Sequence, residues 1–299
     1  MTHPRAGRRH SPLFHLTVGV VGLLVVCIAV VEARQTPAFS ATADLVTVGV
    51  SVRRGGRPVR DLGLEDFTLT DNDRPQALAS ISYERLPIDL TVVLDVSGSV
   101  TGPVLQQLRG AVADVRRSLQ AQDRLRLMTF STRVRQVVDF DAAPGAVDAA
   151  FASVVPGGGS AVLDALAVAL ASGGRPDRRQ LIILFSDGRD SNSVSMPDPL
   201  LAVARATTPT VSVVLATPAR VPSDRIYVEV AAETGGTVVS LLPTDNLGDS
   251  LRGALDQFRS SYVLTYVPIG VERAGVHRLD VRVNQPGLDV RARRGYVVK

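Results

Sequence analysis

Hydrophobic and polar positions follow two different periods along the chain after residue 43. In residues 44–87 apolar side chains alternate with polar ones, as at Val46 and Val48, which is the two-residue period of a half-buried strand. The same period returns over residues 262–299. Between them, residues 88–261 contain short apolar runs that alternate with segments of helical period. That alternation is typical of a parallel α/β sheet.

The central part, residues 88–261, is predicted to form a doubly wound, mostly parallel, Rossmann-like sheet. Its predicted strands are 90–94, 125–130, 134–140, 180–185, 210–215 and 237–240. Its predicted helices are 104–119, 144–154, 162–171, 198–206, 223–233 and 244–260. Residues 131–133 are too few for a crossover helix, so the second and third strands should form an antiparallel hairpin at one edge.

The two flanking β segments, residues 44–87 and 262–299, are each too short to bury a hydrophobic core alone. We therefore expect them to pair with each other into one small β-sandwich. The fold class predicted from the pattern is α/β, with the doubly wound domain inserted in that sandwich.

The N-terminus has the features of an export signal. Basic residues precede an apolar stretch over residues 13–31, which is close to the length that spans a bilayer. Small residues before Ala33 predict cleavage there, which makes residues 1–33 a signal peptide and residues 34–43 a linker. The alternative is an uncleaved membrane anchor. Either way the protein is expected outside the cytoplasm, secreted or periplasmic, with membrane contact only through that anchor.

Composition excludes several classes of function. The chain has 299 residues and a net charge of +4, but only 4% of its residues are aromatic and no basic stripe is interleaved with stacking residues, so nucleic-acid binding is not expected. Cys27 is the only cysteine, and it lies in the leader. Three of the four histidines also lie there, and the fourth, His277, is expected at the surface. A histidine-based hydrolase or a zinc hydrolase is therefore not predicted.

Polar side chains that could bind a metal ion follow two of the predicted strands and open one helix. Asp95, Ser97 and Ser99 come directly after the first buried strand, and Asp187 follows the strand that ends near residue 185. Ser160 follows three glycines and opens the next helix. Ligands collect at the carboxyl ends of parallel strands, and carboxylate and hydroxyl oxygens suit Mg²⁺. We expect these five side chains to form one site.

The motif Asp95-x-Ser97-x-Ser99, the hydroxyl of Ser160 and the Ser-Asp-Gly turn at Asp187 resemble the metal-ion-dependent adhesion site of von Willebrand factor type A (VWA) domains. The resemblance covers residues 88–261, and the flanking segments are similar to those of exported bacterial VWA proteins. It implies that the three serines bind Mg²⁺ or Mn²⁺, with the two aspartates acting directly or through water. The family usually has threonine where this chain has Ser160.

The function implied by this resemblance is the capture of a protein partner through its Asp or Glu carboxylate, which completes the shell of the metal ion. We do not expect an enzyme. Two alternatives remain open. One is a structural or assembly factor that uses the VWA fold without metal. The other is a metal-assisted phosphotransferase with Asp95 as nucleophile, although Ser97 stands where such an enzyme needs a second aspartate.

Other polar residues near these motifs have simpler explanations. Asp190 and Ser191 are expected to be solvated loop residues, and Asp164 is expected to favour the dipole of its helix. Arg178 and Arg179 are expected to lie on a solvated face.

Overall fold

The computed structural model describes residues 45–83, 86–100, 102–143, 145–216 and 225–299. The predicted leader, its cleavage point at Ala33, the linker and Cys27 all lie outside the described residues. Within the described ranges, no helix is both long enough and apolar enough to cross a membrane.

The central part of the chain contains both strands and α-helices. Among the described residues, the flanking parts contain strands and no α-helix. The strands are β1 (Val46–Arg54), β2 (Arg57–Pro58), β3 (Phe67–Asp71), β4 (Arg74–Gln76), β5 (Leu78–Ser82), β6 (Ile88–Asp95), β7 (Arg124–Phe130), β8 (Val134–Val138), β9 (Arg179–Ser186), β10 (Thr210–Leu215), β11 (Val238–Ser240), β12 (Tyr262–Tyr266), β13 (Gly275–Val283), β14 (Asp289–Ala292) and β15 (Gly295–Val298). The α-helices are α1 (Gly102–Ser118), α2 (Ala146–Ser153), α3 (Val162–Ser172), α4 (Pro197–Ala206), α5 (Arg225–Thr234) and α6 (Leu247–Arg259).

The central sheet has six strands in the order β11-β10-β9-β6-β7-β8. Its neighbours pair in parallel except for β8, which pairs antiparallel with β7 at the sheet edge. The predicted edge hairpin is therefore confirmed. The mixed α/β content is confirmed as well.

Helices cover both faces of the central sheet because its strands are apolar on both sides. In β6, Leu90, Val92 and Leu94 pack into one hydrophobic cluster with α1, α2 and α6. Val93 points to the other face and joins a second cluster with α3, α4 and α5. Every residue of β6 is buried, so this strand has no exposed side chain.

The flanking segments form two smaller sheets that are antiparallel throughout. One has the order β14-β1-β12-β5, with β2 added to β1, and the other has the order β15-β13-β3-β4. Each joins strands from both ends of the described chain: Val48 pairs with Leu264, and Leu69 pairs with Val281. The apolar faces of both sheets share one hydrophobic cluster.

The prediction that His277 lies at the surface is wrong. His277 is only 2% exposed, and its Nδ1 atom lies 2.9 Å from Oδ1 of the buried Asp71. The hydroxyls of Tyr266 and Tyr296 both donate to Oδ2 of Asp71, each at 2.8 Å. His277 is buried because it has the same strand parity as Leu279, which faces the core. The Asp71 carboxylate on the paired strand supplies the hydrogen-bond acceptor that a buried imidazole needs.

The prediction of a solvated face at Arg178 and Arg179 is also wrong. The Arg178 guanidinium binds the fully buried carboxylate of Asp89, which also binds Arg124 at 2.7 Å. Burial by itself would raise the pKa of Asp89, but the hydrogen bonds from Arg124, the Arg175 backbone and Arg178 hold it below its usual value. Arg179 stacks on a phenylalanine ring and donates to a backbone carbonyl.

Candidate metal centre

Asp95, the last residue of β6, is the centre of the candidate site. It is 2% exposed, and three protein groups donate to its carboxylate. The backbone N–H of Ser97 donates to Oδ1 at 2.9 Å, and the hydroxyls of Ser160 and Ser186 donate to Oδ2, each at 2.8 Å. The carboxylate is therefore held in one orientation by the loop after β6, by the last residue of β9 and by the loop that precedes α3.

The loop after β6 places the hydroxyls of Ser97 and Ser99 side by side. Their Oγ atoms lie 3.3 Å apart, with Ser97 buried and Ser99 exposed. Gly98 lies between them, and its N–H donates to the carbonyl of Gly158 at 2.9 Å. A Cβ atom on Gly98 would lie 3.3 Å from that carbonyl oxygen. The absence of a side chain at Gly98 thus lets the two loops approach closely.

The glycine-rich loop fixes Ser160 through its backbone. The N–H of Ser160 donates to the hydroxyl of Ser191 at 2.9 Å, and its carbonyl accepts from the N–H groups of Ser191 and Asn192. Gly158 has a φ of 81°, which favours glycine, and a Cβ atom on Gly159 would lie 2.1 Å from Oδ1 of Asn192. These backbone contacts hold Ser160 where its hydroxyl donates to the Asp95 carboxylate.

Asp187 lies just beyond β9, at the same edge of the sheet as Asp95. The pairing of Leu94 with Phe185 places Ser186 beside Asp95 and Asp187 one residue further along. The side chain of Asp187 is half-buried, and its Oδ1 accepts the N–H of Arg189 at 3.0 Å. Hydrogen bonds thus connect Asp95, Ser97 and Ser160 directly, and Ser99 through Ser97, while Asp187 joins this cluster through its neighbour Ser186.

Ser186 is a member of the site that the sequence analysis missed. Its hydroxyl donates to Asp95 and accepts the N–H of Gly188 at 3.0 Å, and its side chain is fully buried. A signal was present in the chain, since a serine that ends a run of buried apolar residues and precedes Asp187 needs a polar partner of its own. The adjacent strand end supplies that partner.

Asp190 and Ser191 are exposed loop residues, as predicted, and both also make hydrogen bonds near the start of α3. Asp190 accepts from the N–H of Leu163 at 2.9 Å and from both donors of Ser193, so it caps the first turn of α3. Asp164 accepts from the N–H groups of Val194 and Ser195. Burial would raise the pKa of Asp164, but hydrogen bonds from the Ser195 side chain and from the two backbone N–H groups hold it below its usual value. Both aspartates tie the loop after β9 to α3.

The donor set fits a hard divalent cation. Hydroxyl oxygens of Ser97, Ser99 and Ser160 and two carboxylates are the ligand types that Mg²⁺ and Mn²⁺ take. Adjacent oxygens around an octahedral Mg²⁺ lie about 2.9 Å apart, and the 3.3 Å between Ser97 and Ser99 Oγ is close to that value. In the part of the chain that the structure describes, no cluster of three or more His, Cys, Asp or Glu side chains could hold a metal. A site in which serine hydroxyls supply most of the ligands does not need such a cluster.

Comparison with known proteins identifies the family. The model of the von Willebrand factor type A domain matches residues 89–257, more than half of the chain. The chain belongs to the VWA family.

Individual relatives are distant. An uncharacterized protein, sll0103, from Synechocystis sp. is 30% identical over 112 residues, which are 36% of this chain and 27% of that protein. An aerotolerance-related membrane protein from Bacteroides fragilis has a TM-score of 0.46 at 15% identity, covering 57% of this chain and 98% of that one. Proximal thread matrix protein 1 from the mussel byssus, in a structure with a zinc-occupied adhesion-site motif, has a TM-score of 0.49 at 14% identity, covering 63% and 49%.

Proposed function

We propose that this protein is an extracytoplasmic, metal-dependent protein-binding module. VWA domains are mostly interaction modules, which makes binding the expected class of activity. The observation that carries the proposal is the convergence of Ser97, Ser99 and Ser160 around the Asp95 carboxylate. Asp187 completes the proposed set of ligands from the end of the adjacent strand.

Each of these residues has a distinct proposed role. Ser97, Ser99 and Ser160 hold Mg²⁺ or Mn²⁺ by their hydroxyl oxygens, while Asp95 and Asp187 act directly or through water. Asp95 also orients Ser160, because the serine O–H donates to the carboxylate and so leaves its lone pairs for the cation. A cation bound by few anionic protein groups supplies a Lewis-acidic position that takes a hard oxygen ligand. The partner therefore presents an Asp or Glu carboxylate.

A metal-independent structural or assembly factor is the second candidate. One observation favours it: the Asp95 carboxylate already accepts three protein hydrogen bonds, so its burial needs no cation. A phosphotransferase is less favoured, since Ser97 occupies the position of the second aspartate. We do not propose an enzyme.

Two further proposals concern the whole chain. The basic and apolar leader supports export, with either cleavage after Ala33 or retention of residues 13–31 as an anchor. The shared hydrophobic cluster of the two smaller sheets supports a β-sandwich made by residues 44–87 and 262–299, with residues 88–261 inserted. The intact mass of the exported protein distinguishes cleavage from anchoring.

Calorimetric titration of Mg²⁺ and Mn²⁺ tests the metal site. Wild type should bind with a saturable heat that is absent from Asp95→Ala. Asp148→Ala is the matched control, because Asp148 is an exposed aspartate paired with Arg109 on another surface, and it should bind as wild type does. Equal heats from wild type and Asp95→Ala would exclude the metal-dependent function and favour the second candidate.

A pull-down from the native envelope, with and without chelator, tests the partner. Capture that requires both the cation and an intact Asp95 supports the proposal. Capture that persists with chelator and in Asp95→Ala points to metal-independent assembly.

A further inference from the structure

The loops around the candidate metal centre carry two arginines, one on each side of Asp95. Strands β9, β6 and β7 are consecutive in the central sheet. Arg189 follows the end of β9 and Arg133 lies in the turn between β7 and β8, so Asp95 at the end of β6 lies between them. Neighbouring strands are about 4.8 Å apart, which puts the ends of β9 and β7 about 10 Å from each other. The two arginines therefore flank the site.

Backbone contacts connect both of these loops to the proposed metal ligands. The N–H of Arg189 donates to Oδ1 of Asp187 at 3.0 Å. One carbonyl of the turn that holds Arg133 accepts the N–H of Ala161, the residue after Ser160, at 2.8 Å. The backbone of each arginine is thus held next to a proposed ligand.

Neither arginine side chain is neutralised by a neighbouring carboxylate. Arg133 and Arg189 are exposed, and within the described ranges their guanidinium groups make no hydrogen bond or ion pair. The loop after β9 also carries Asp190, whose oxygens accept from the start of α3 and from the loop itself. A bound divalent cation would balance the two aspartates of the proposed ligand set. The loops then carry two arginines against Asp190, so this surface favours a partner with negative charge.

Exposed apolar side chains lie on the same loops. Val194, in the loop after β9, is 88% exposed, and Val155, in the loop before α3, is 86% exposed. They are the two most exposed large apolar side chains of the described residues. Contact with a partner would remove both from water, which is favourable. We call Arg133, Arg189, Val155 and Val194 the rim of the site.

We propose that the rim directs the metal centre towards an extended acidic segment of a partner protein. One carboxylate of the segment binds the cation, and acidic side chains two residues before and after it pair with Arg133 and Arg189. In an extended chain, side chains two residues apart point to the same face and are about 7 Å apart. The three carboxylates therefore reach across the site from one arginine to the other. This inference rests on the proposed metal-dependent binding function.

Calorimetric titration of the full-length chain with two capped peptides in the presence of Mg²⁺ tests the inference. The acidic peptide has a central aspartate, glutamates two residues before and after it, and serines elsewhere. The neutral peptide has glutamines in place of the glutamates, so both peptides offer the cation the same carboxylate. At low ionic strength the acidic peptide should bind about fivefold more tightly, because two exposed ion pairs each contribute modestly. Added salt should reduce this preference.

Substitution of both arginines should remove the preference. The double variant Arg133→Gln, Arg189→Gln should bind the two peptides alike, and it should fold as wild type does because both side chains are exposed and unpaired. Arg116→Gln is the matched control. Arg116 is an exposed arginine in the last turn of α1, whereas the first turn of α1 follows the loop after β6. This control should keep the full preference for the acidic peptide.

Substitution of an apolar residue of the rim should have a different effect. Val194→Ser should weaken both peptides by a similar factor, because it removes apolar contact and leaves the charges unchanged. Val276→Ser, at a valine of β13 that is 65% exposed, is the matched control and should bind both peptides as wild type does.

The inference is overturned if the two peptides bind wild type equally, or if the arginine double variant keeps the preference. Equal binding that requires Mg²⁺ leaves the proposed function intact and indicates a partner without acidic flanks. Wild type that binds Mg²⁺ but neither peptide contradicts carboxylate capture together with this inference. Binding of the acidic peptide that persists with chelator and in Asp95→Ala also overturns both, because the cation is then not required.

Discussion

At the scale of single residues, the candidate site depends on the hydrogen bonds that one buried carboxylate accepts. Asp95 accepts from one backbone N–H and two serine hydroxyls, and each hydroxyl then directs its lone pairs away from the carboxylate. The aspartate is thereby both a proposed metal ligand and the group that orients Ser160. Ser186 helps to orient the Asp95 carboxylate, since its hydroxyl donates to Asp95 and accepts the N–H of Gly188.

Substitution of Ser160 tests its proposed role as a ligand. Ser160→Ala should weaken Mg²⁺ binding about tenfold or more, since an oxygen ligand is lost. Ser160→Thr should retain binding, because it keeps the hydroxyl and restores the residue that is usual in the family. Calorimetric titration of the two variants measures this difference. Equal affinity of Ser160→Ala and wild type would remove Ser160 from the set of ligands.

Ser186 is a positioning residue, and its substitution should affect stability first. Ser186→Ala leaves the N–H of Gly188 without its acceptor and removes one of the two hydroxyl donors to Oδ2 of Asp95, so we expect a loss of about 2 kcal/mol in the free energy of unfolding. Urea denaturation measures it. Ser153→Ala is the control, because the exposed Ser153 hydroxyl donates only to a carbonyl of its own helix. An equal, small loss in both variants would contradict the orienting role.

At the scale of secondary-structure elements, the loop after β9 and the start of α3 hold each other. Asp190 from the loop accepts the N–H of Leu163, and Asp164 from the helix accepts N–H groups of the loop. The first turn of a helix has unpaired N–H groups, and a carboxylate there also favours the helix dipole. The reciprocal contacts fix the position of Ser160, which precedes α3.

Asp190→Ala should therefore destabilise the protein by about 1 kcal/mol, the usual effect of losing a helix cap. Asp190→Asn, which keeps an acceptor oxygen, should lose less. Urea denaturation compares these variants with Asp177→Ala, which removes an exposed aspartate paired only with Arg175. If Asp190→Ala and Asp177→Ala lose the same stability, the cap does not contribute.

At the scale of the whole molecule, the flanking sheets join the two ends of the described chain. The core of these sheets contains a hydrogen-bonded group of the buried Asp71, His277 and Tyr266 and the half-buried Tyr296, which come from four different strands. Burial raises the pKa of Tyr296 to about 12, and the nearby Asp71 charge adds to this effect. The pKa of Tyr266 is raised even further, mainly by burial.

The stability of the protein should consequently fall at high pH. An unfolded tyrosine loses its proton near pH 10, whereas the folded Tyr296 keeps its proton to about pH 12. Between these values the folded state binds more protons, so the free energy of unfolding decreases as pH rises. Urea denaturation across this range should show the decrease, and Tyr296→Phe should reduce its slope. An unchanged slope would contradict the assignment to Tyr296.

The pairing of β1 with β12 and of β3 with β13 predicts that neither flanking segment is stable alone. Limited proteolysis should release the residues after 261 only together with unfolding of the strands before residue 87. If a protease removes the C-terminal strands and β1 to β5 stay folded, the proposed shared unit is wrong.

The sequence predicts the secondary-structure elements of this protein better than it predicts the contacts between distant residues. Every strand and helix predicted for residues 88–261 has a counterpart in the structure, although the starts predicted for α2 at residue 144 and for α5 at residue 223 lie outside the described residues. Local hydrophobic period and chain length determine these elements. The burial of His277 could also be predicted from the sequence, because His277 has the same strand parity as the core residue Leu279. The prediction of an exposed His277 relied instead on its polar side chain.

Contacts between distant residues could not be read in the same way. Ser186 and Asp95 are 91 residues apart in the chain, and Asp190 and Leu163 are 27 apart. No local pattern states which acceptor a buried serine will find, or which donor a loop aspartate will find. Arg178 illustrates the same limit, because it precedes β9 and its partner Asp89 lies on β6, 89 residues away in the chain.

The sequence by itself determined the alternation of elements and the five polar positions at Asp95, Ser97, Ser99, Ser160 and Asp187, because period and motif are local properties. The tertiary structure decided which atoms meet. Parallel pairing of β6 with β9 placed Ser186 beside Asp95, and pairing of β3 with β13 buried His277 against Asp71. Buried polar groups must find partners, and the partners that are close enough depend on the packing of the whole chain.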